Sequence, residues 1–185
     1  MVIAESHYLP NGSTAHLSPE EWYNGDDKRL DSTEKSWIAT SDIVRYSGNR
    51  IFNNIYNALI ESGIDSDGAK EQIFFMNYFQ RPAIEKRSFK NVCTQLDKDE
   101  ADKNLRKVIS ILKPDLIIFV SKYAVVVAEE TELWKFTNTI NCIYTYTNHP
   151  STVWWNKATR PDFFKGRTSK EHFKFFLKEN KFIID

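Results

Sequence analysis

Apolar positions along this 185-residue chain fall into two kinds of run. Val2-Ile3-Ala4, Ile73-Phe74-Phe75-Met76 and Leu116–Val120 are short continuous blocks, apolar on both faces as strands buried in a parallel sheet are. The second of them reads as a central strand ending at Asn77, and Ile140–Tyr146 reads as a fourth strand. Between the blocks, apolar residues recur at helical spacing. Ile51, Ile55, Ala58 and Leu59 predict a helix that stops near Gly63. Ala101, Leu105, Val108, Ile109 and Leu112 predict another over 98–112, ended by Lys113-Pro114-Asp115. Tyr123–Glu130 predicts a third helix and Ser169–Lys181, with Phe173, Phe176 and Leu177, a terminal one. Residues 9–41 are rich in Pro, Gly, Ser, Asn and Asp, with aromatic points at Trp22, Tyr23 and Trp37. They read as a long functional loop or a loop holding a short helix.

Buried strands alternating with helices predict one domain over residues 1–185, a three-layer α/β/α sandwich around a central, mainly parallel four-stranded sheet. Such sheets bind ligands beyond the carboxyl ends of their strands. Three predicted strand ends carry polar groups: Glu5-Ser6-His7, Asn77 and Asn148-His149.

Composition narrows the picture. With 41% hydrophobic residues and only six Gly and six Pro, the chain is neither disordered nor collagen-like. No apolar run approaches the roughly 20 residues that cross a bilayer. The opening MVIAESHY lacks the basic and long apolar regions of a secretory signal, so a cytoplasmic location is expected. Cys93 and Cys142 are far apart and form no CxxC pair, which gives no disulfide framework, zinc site or iron–sulfur site. The 25 basic and 25 acidic side chains balance, but unevenly: residues 1–150 carry 17 basic and 21 acidic, residues 151–185 carry 8 and 4. A basic segment of this kind is either a phosphate-contacting surface or a solvated helix face.

Four segments, VIAESHY, IFFMNYFQRP, LKPDLIIFVSKYA and YTNHPSTVWW, stand in the order and spacing of the uracil-DNA glycosylase superfamily, which they resemble. The first is similar to its Gly-Glu-Ala-Pro-Gly motif, the second to its strand ending in a base-reading Asn before Arg-Pro, and the fourth to its His-Pro-Ser signature. RYSGNRIFNNIYNALIESGI resembles the Pro-Phe-x-Gly segment and helix of thermophile-type members. Those members carry four cluster cysteines where this chain has two, so no metal or redox cofactor is implied. The resemblance implies the fold above and a monofunctional DNA glycosylase that flips uracil or another altered base and hydrolyses its N-glycosidic bond. DNA is the implied partner, with no membrane, and a monomer is expected.

It also implies roles for residues. His149 would stabilise negative charge on the departing base, the transition-state need that a fixed donor meets; the bland alternative is a strand-end cap. Asn77 would present its carbonyl and NH2 to a pyrimidine edge exposed by flipping, or simply end its strand. Glu5 would orient the attacking water or stabilise the cationic sugar. The first motif departs from the family at Ala4 and His7, where the family has Gly and Pro. Ser6 and His7 would lie against the base or, for His7, against phosphate. Tyr46 aligns with the aromatic that stacks on the flipped base, a contact worth about 1–3 kcal/mol. Ser151, Trp154 and Trp155 follow where the family has a minor-groove wedge, and Lys157, Arg160, Lys165 and Arg167 would bind phosphates. Two adjacent Trp cannot both be buried on one strand face, so at least one is expected to point outward.

Two other classes compete. Ser6, Asn77 and His149-Pro150 also resemble the layout of Ser-Gly-Asn-His esterases, although the nucleophile context is Ala4-Glu5-Ser6 and no Asp lies between 116 and 161. A binding module that keeps the fold without the chemistry is the third reading.

Overall fold

Alternation within the apolar blocks sends their side chains to two separate cores, and this builds the layers. The computed structural model describes residues 1–25, 30–39, 49–64, 73–85, 87–158 and 163–180. In chain order the elements are β1 (Val2–Ala4), β2 (Tyr8–Leu9), α1 (Pro19–Tyr23), α2 (Ser32–Ile38), α3 (Arg50–Ile60), β3 (Phe75–Asn77) and β4 (Ala83–Ile84). They continue with α4 (Gln95–Leu112), β5 (Leu116–Phe119), α5 (Lys122–Glu130), α6 (Leu133–Thr139), β6 (Ile143–Tyr146) and α7 (Ser169–Glu179). β3, β1, β5 and β6 form, in that order, a four-stranded sheet whose three pairings are all parallel. Val2, Ala4, Leu116 and Ile118 face one way and pack with Phe52, Ile55 and Leu59 of α3 and Phe173 and Leu177 of α7. Ile3, Ile117 and Phe119 face the other way, against α4, α5 and α6 through Leu105, Ile109, Val127 and Leu133. The chain is thus a helix–sheet–helix sandwich. Each fully buried Leu, Ile or Phe contributes about 1.5–3 kcal/mol.

Helix starts follow their capping residues. Thr94 and Asp97 form a capping box that starts α4 three residues before the predicted 98–112, and Thr168 with Glu171 does the same for α7. The polar stretch 9–41 holds two short helices, α1 begun by Ser18-Pro19 and α2 by a capping box of Asp31 and Glu34. β2 ends where this stretch begins and pairs in parallel with β4.

Three expectations change. The block at Ile73–Met76 is the edge strand rather than a central one; it starts at Phe75 and leaves Phe74 43% exposed. The fourth strand begins at Ile143, because Ile140 closes a turn on Thr137 and Asn141 takes a left-handed φ of 55°. Helix α6 was not anticipated. Glu132, at φ 59°, ends α5 and starts α6 with no straight run between them, and α6 buries only Leu133 and Thr137.

Candidate functional site

A cavity of about 220 Å3 opens at the carboxyl end of the sheet, on the face covered by α3 and α7. Its polar lining is Ser6, His7, Asn49, Asn77 and His149, drawn from the ends of β1, β3 and β6 and the start of α3. Phe52, Phe75 and Trp37 supply aromatic walls, with Phe52 and Phe75 edge-to-face at 4.7 Å. Four residues expected at the site, Ser6, His7, Asn77 and His149, therefore meet in one place. Tyr46 lies outside the described residues. Trp37 stood out in the sequence only as an aromatic in a polar stretch, and its place on the wall had no further signal.

The loop after β6 is fixed from several sides. Asn148 bonds Ser169 Oγ through both its backbone N–H and its side-chain amide, at 3.1 and 2.9 Å. Asn54 of α3 donates to the Pro150 carbonyl at 2.7 Å, and Thr152 returns both its N–H and its hydroxyl to the His149 carbonyl. His149 Nδ1 lies 2.8 Å from Ser151 Oγ and accepts the Ser151 N–H at 3.3 Å. A nitrogen that accepts a backbone N–H carries no proton, so the neutral ring bears its proton on Nε2. Burial pushes the His149 imidazole below its ordinary 6.5, which keeps it neutral at physiological pH. The outcome is an oriented N–H donor rather than a mobile cation. Ser151, expected among the DNA-contacting residues, spends its hydroxyl on this ring. Asn54 and Ser169 carried no motif in the sequence; their role rests on contacts across 96 and 21 residues.

Asn77 is the last residue of β3, in register with Ala4. Its carbonyl takes Gln80 Nε2 at 3.0 Å, while its side-chain amide has no hydrogen-bond partner among the described residues. A free carboxamide at a pocket wall offers one donor edge and one acceptor edge.

The loop after β1 is held by backbone pairing: Tyr78 N–H to the Ala4 carbonyl, Phe79 N–H to Glu5, and Ala83 N–H to His7, at 2.8–2.9 Å. Glu5 corrects an expectation. One carboxylate oxygen accepts the Phe89 N–H at 3.2 Å and the other the Ser121 hydroxyl at 2.9 Å, and Glu5 is not part of the pocket wall. Ser121 in turn caps α5. Both oxygens therefore tie β1 to the segments after β4 and β5, and the structure lends no support to water activation by Glu5. Ser6, 8% exposed, has a buried hydroxyl with no partner among the described residues. It makes no hydrogen bond to His149, so the nucleophile–base pair of an esterase is not formed. His7 is pushed down to about 4 by burial and is neutral. Arg81 of the Arg-Pro pair is likewise architectural: buried, it grips Asp97 at 2.8 and 2.5 Å and the carbonyls of His16 and Val92 at 2.7 and 2.6 Å.

The expected DNA-contacting residues divide. Val153–Trp155 is a 3-10 turn, not a strand, and it sends the two indoles in different directions. Trp154 is 45% exposed beside exposed Val153; Trp155 is 1% exposed and packs on Phe173 at 5.9 Å, so it presents no surface to a ligand. Lys157 and Lys165 are exposed, and Arg167 lies over the Phe175 ring at 3.6 Å. Lys165 sits between Phe164 and Gly166 in a left-handed run, φ 51°, 54° and 79°, a strained backbone for the two non-glycine residues. Arg160 lies outside the described residues.

Among the described residues no group of three or more His, Cys, Asp or Glu is placed to hold a metal ion, and Cys93 and Cys142 are free thiols. None of the described helices is long and apolar enough to cross a membrane. No protein family, curated protein or solved structure compared with the chain matches it.

Proposed function

We propose that this protein is a DNA glycosylase that takes one flipped pyrimidine, uracil or an altered relative, into the cavity at the strand ends and hydrolyses its N-glycosidic bond. The observation that carries this reading is the meeting, in a cavity of about 220 Å3, of an Asn77 carboxamide with no partner among the described residues and a neutral, locally fixed His149. Asn77 reads the base: its N–H and carbonyl complement an acceptor and a donor on the uracil edge. Phe52, Phe75 and Trp37 supply the faces on which a base stacks.

In the reaction, the C1′–N1 bond breaks and its electron pair goes to the base. His149, through Nε2–H, donates to the base carbonyl as that negative charge develops. Water adds to C1′ and gives up one proton, and the released base takes one up. Ser6, whose hydroxyl has no partner among the described residues, is assigned to hold the water, with Glu5 bracing the loop behind it. Exposed Val153 and Trp154 are assigned as the apolar wedge, and exposed Lys157 and Lys165 as phosphate contacts.

The test is release of free base from oligonucleotides carrying a panel of altered pyrimidines. Release from the uracil substrate is expected. Binding to the panel with no base released would instead identify a binding module of this fold. In a second arm, Asn77→Asp replaces a donor with an acceptor and is expected to weaken preference for uracil and admit cytosine, whose exocyclic amine is a donor. An unchanged release profile would remove Asn77 as the reader.

A further inference from the structure

The wall made by His7, Phe75 and Asn77 has a second cavity on its other side, of about 280 Å3. Met76 and Val108 give this second space an apolar surface, and Gln80 and Asn104 give it two carboxamides. Among the described residues no Asp, Glu, Lys or Arg lines it. A phosphate or a cation would enter without a countercharge, so the cavity suits a neutral ligand. The side-chain amide of Asn104, half-buried on α4, has no hydrogen-bond partner among the described residues. Gln80 gives its NH2 to the carbonyls of Asn77 at 3.0 Å and Tyr78 at 3.5 Å, which leaves its oxygen as an acceptor. An apolar surface beside a free amide donor and two amide acceptors is the recognition chemistry of a nucleobase: a flat face and a hydrogen-bonding edge.

On the glycosylase reading above, we propose that this second cavity is a subsite for the base adjacent to the excised one, with adenine preferred. Two cavities separated by one layer of side chains suit consecutive bases splayed from one strand, their shared phosphate remaining outside in solvent. Asn104 supplies the discrimination. A carboxamide pairs bidentately with adenine on either edge, through the N6 amine with N7 or with N1, whereas the other three bases offer a matching donor and acceptor pair on the Watson–Crick edge alone. Asn77, shared by both cavities, would couple the reading of the neighbour to that of the target.

The experiment uses the full chain and single-stranded oligonucleotides with one deoxyuridine, varied through all four bases at each neighbouring position, measuring both binding and uracil release. Wild type is expected to favour adenine on one side by about tenfold, the scale of one bidentate amide contact. Asn104→Ala is expected to bring adenine-flanked substrates down to the level of the others, with an unchanged melting temperature. Asn104→Asp, which keeps size and loses the donor, is expected to do the same, so a folding defect in one variant does not decide the result. Three results overturn the proposal: no dependence on either neighbour, a dependence that both Asn104 variants retain, or Asn104 variants that change preference among 5-substituted uracils in one fixed context. The last would place a substituent of the target base in the cavity. If no substrate releases uracil, the glycosylase reading fails, and the neighbour preference in binding still decides the subsite.

Discussion

Residues 148–155 and residues 5–9 approach the same cavity, but they commit their strongest polar groups differently. After β6, the chain uses Ser151, Thr152, Asn54 and Ser169 to hold the loop, and this leaves the proton-bearing edge of His149 uncommitted among the described residues. After β1, the only charged side chain in the loop is itself the brace, since Glu5 gives one oxygen to Phe89 and the other to Ser121. Leaving-group stabilisation can be preorganised by a group that costs little to bury, a neutral imidazole. A carboxylate at the same depth needs partners, and the fold supplies them at the expense of its reach into the pocket. On this account the chemistry leans on the departing base more than on activation of water.

The sharpest break in the comparison comes from the two tryptophans at the end of the first region. Trp155→Ala removes a ring packed on Phe173 and is expected to cost about 3–5 kcal/mol of stability, read as a fall in the denaturation midpoint. Trp154→Ala is expected to change stability by less than about 0.5 kcal/mol. It should slow base release from duplex more than from single strands, because only the duplex must be opened. Equal losses on both forms would leave Trp154 as ordinary surface.

Acid is expected to loosen the second region next. Burial lowers all four histidines, with His7 at about 4 against an ordinary 6.5. Between those values the unfolded chain binds more protons than the folded one. Stability is therefore full above pH 6.5 and falls as pH drops toward 4, by at most roughly 3 kcal/mol from His7. Melting curves from pH 7 to 5 check this. His7→Gln should flatten part of the slope, and an identical slope in that variant would locate the effect elsewhere.

Glu5→Gln tests the brace itself. It weakens two hydrogen bonds to a charged acceptor, for about 1–3 kcal/mol of stability, and should change the rate of base release only a few-fold once folded protein is compared. A loss of a hundredfold or more at normal stability is the scale of a general base and would return Glu5 to the chemistry.

These contrasts also explain what the sequence made legible. The four strands stood out because a parallel sheet buries both faces of β1 and β5, and the polar residues at their ends marked where the cavity opens. His149 and Asn77 were readable for that reason. The role of Glu5 was not, because its partners lie 84 and 116 residues away. That at least one of the two adjacent Trp points outward was legible and holds for Trp154, whereas Trp155 was assigned to DNA on the family's wedge loop and its packing on Phe173 left no local signal. β3 was placed in the centre of the sheet since its apolar run matches a buried strand, yet Phe74 of that run is exposed at the edge. α6 escaped notice because two buried residues leave too little periodicity to detect.

The central claim is that a neutral His149, held by its own loop, stabilises the departing base. Its most direct test is single-turnover release of uracil by wild type and His149→Ala, with DNA affinity measured on the same substrates. A rate lower by about a hundredfold or more, the scale for losing one preorganised donor, is expected at nearly unchanged affinity. A variant that releases uracil at close to the wild-type rate would contradict it.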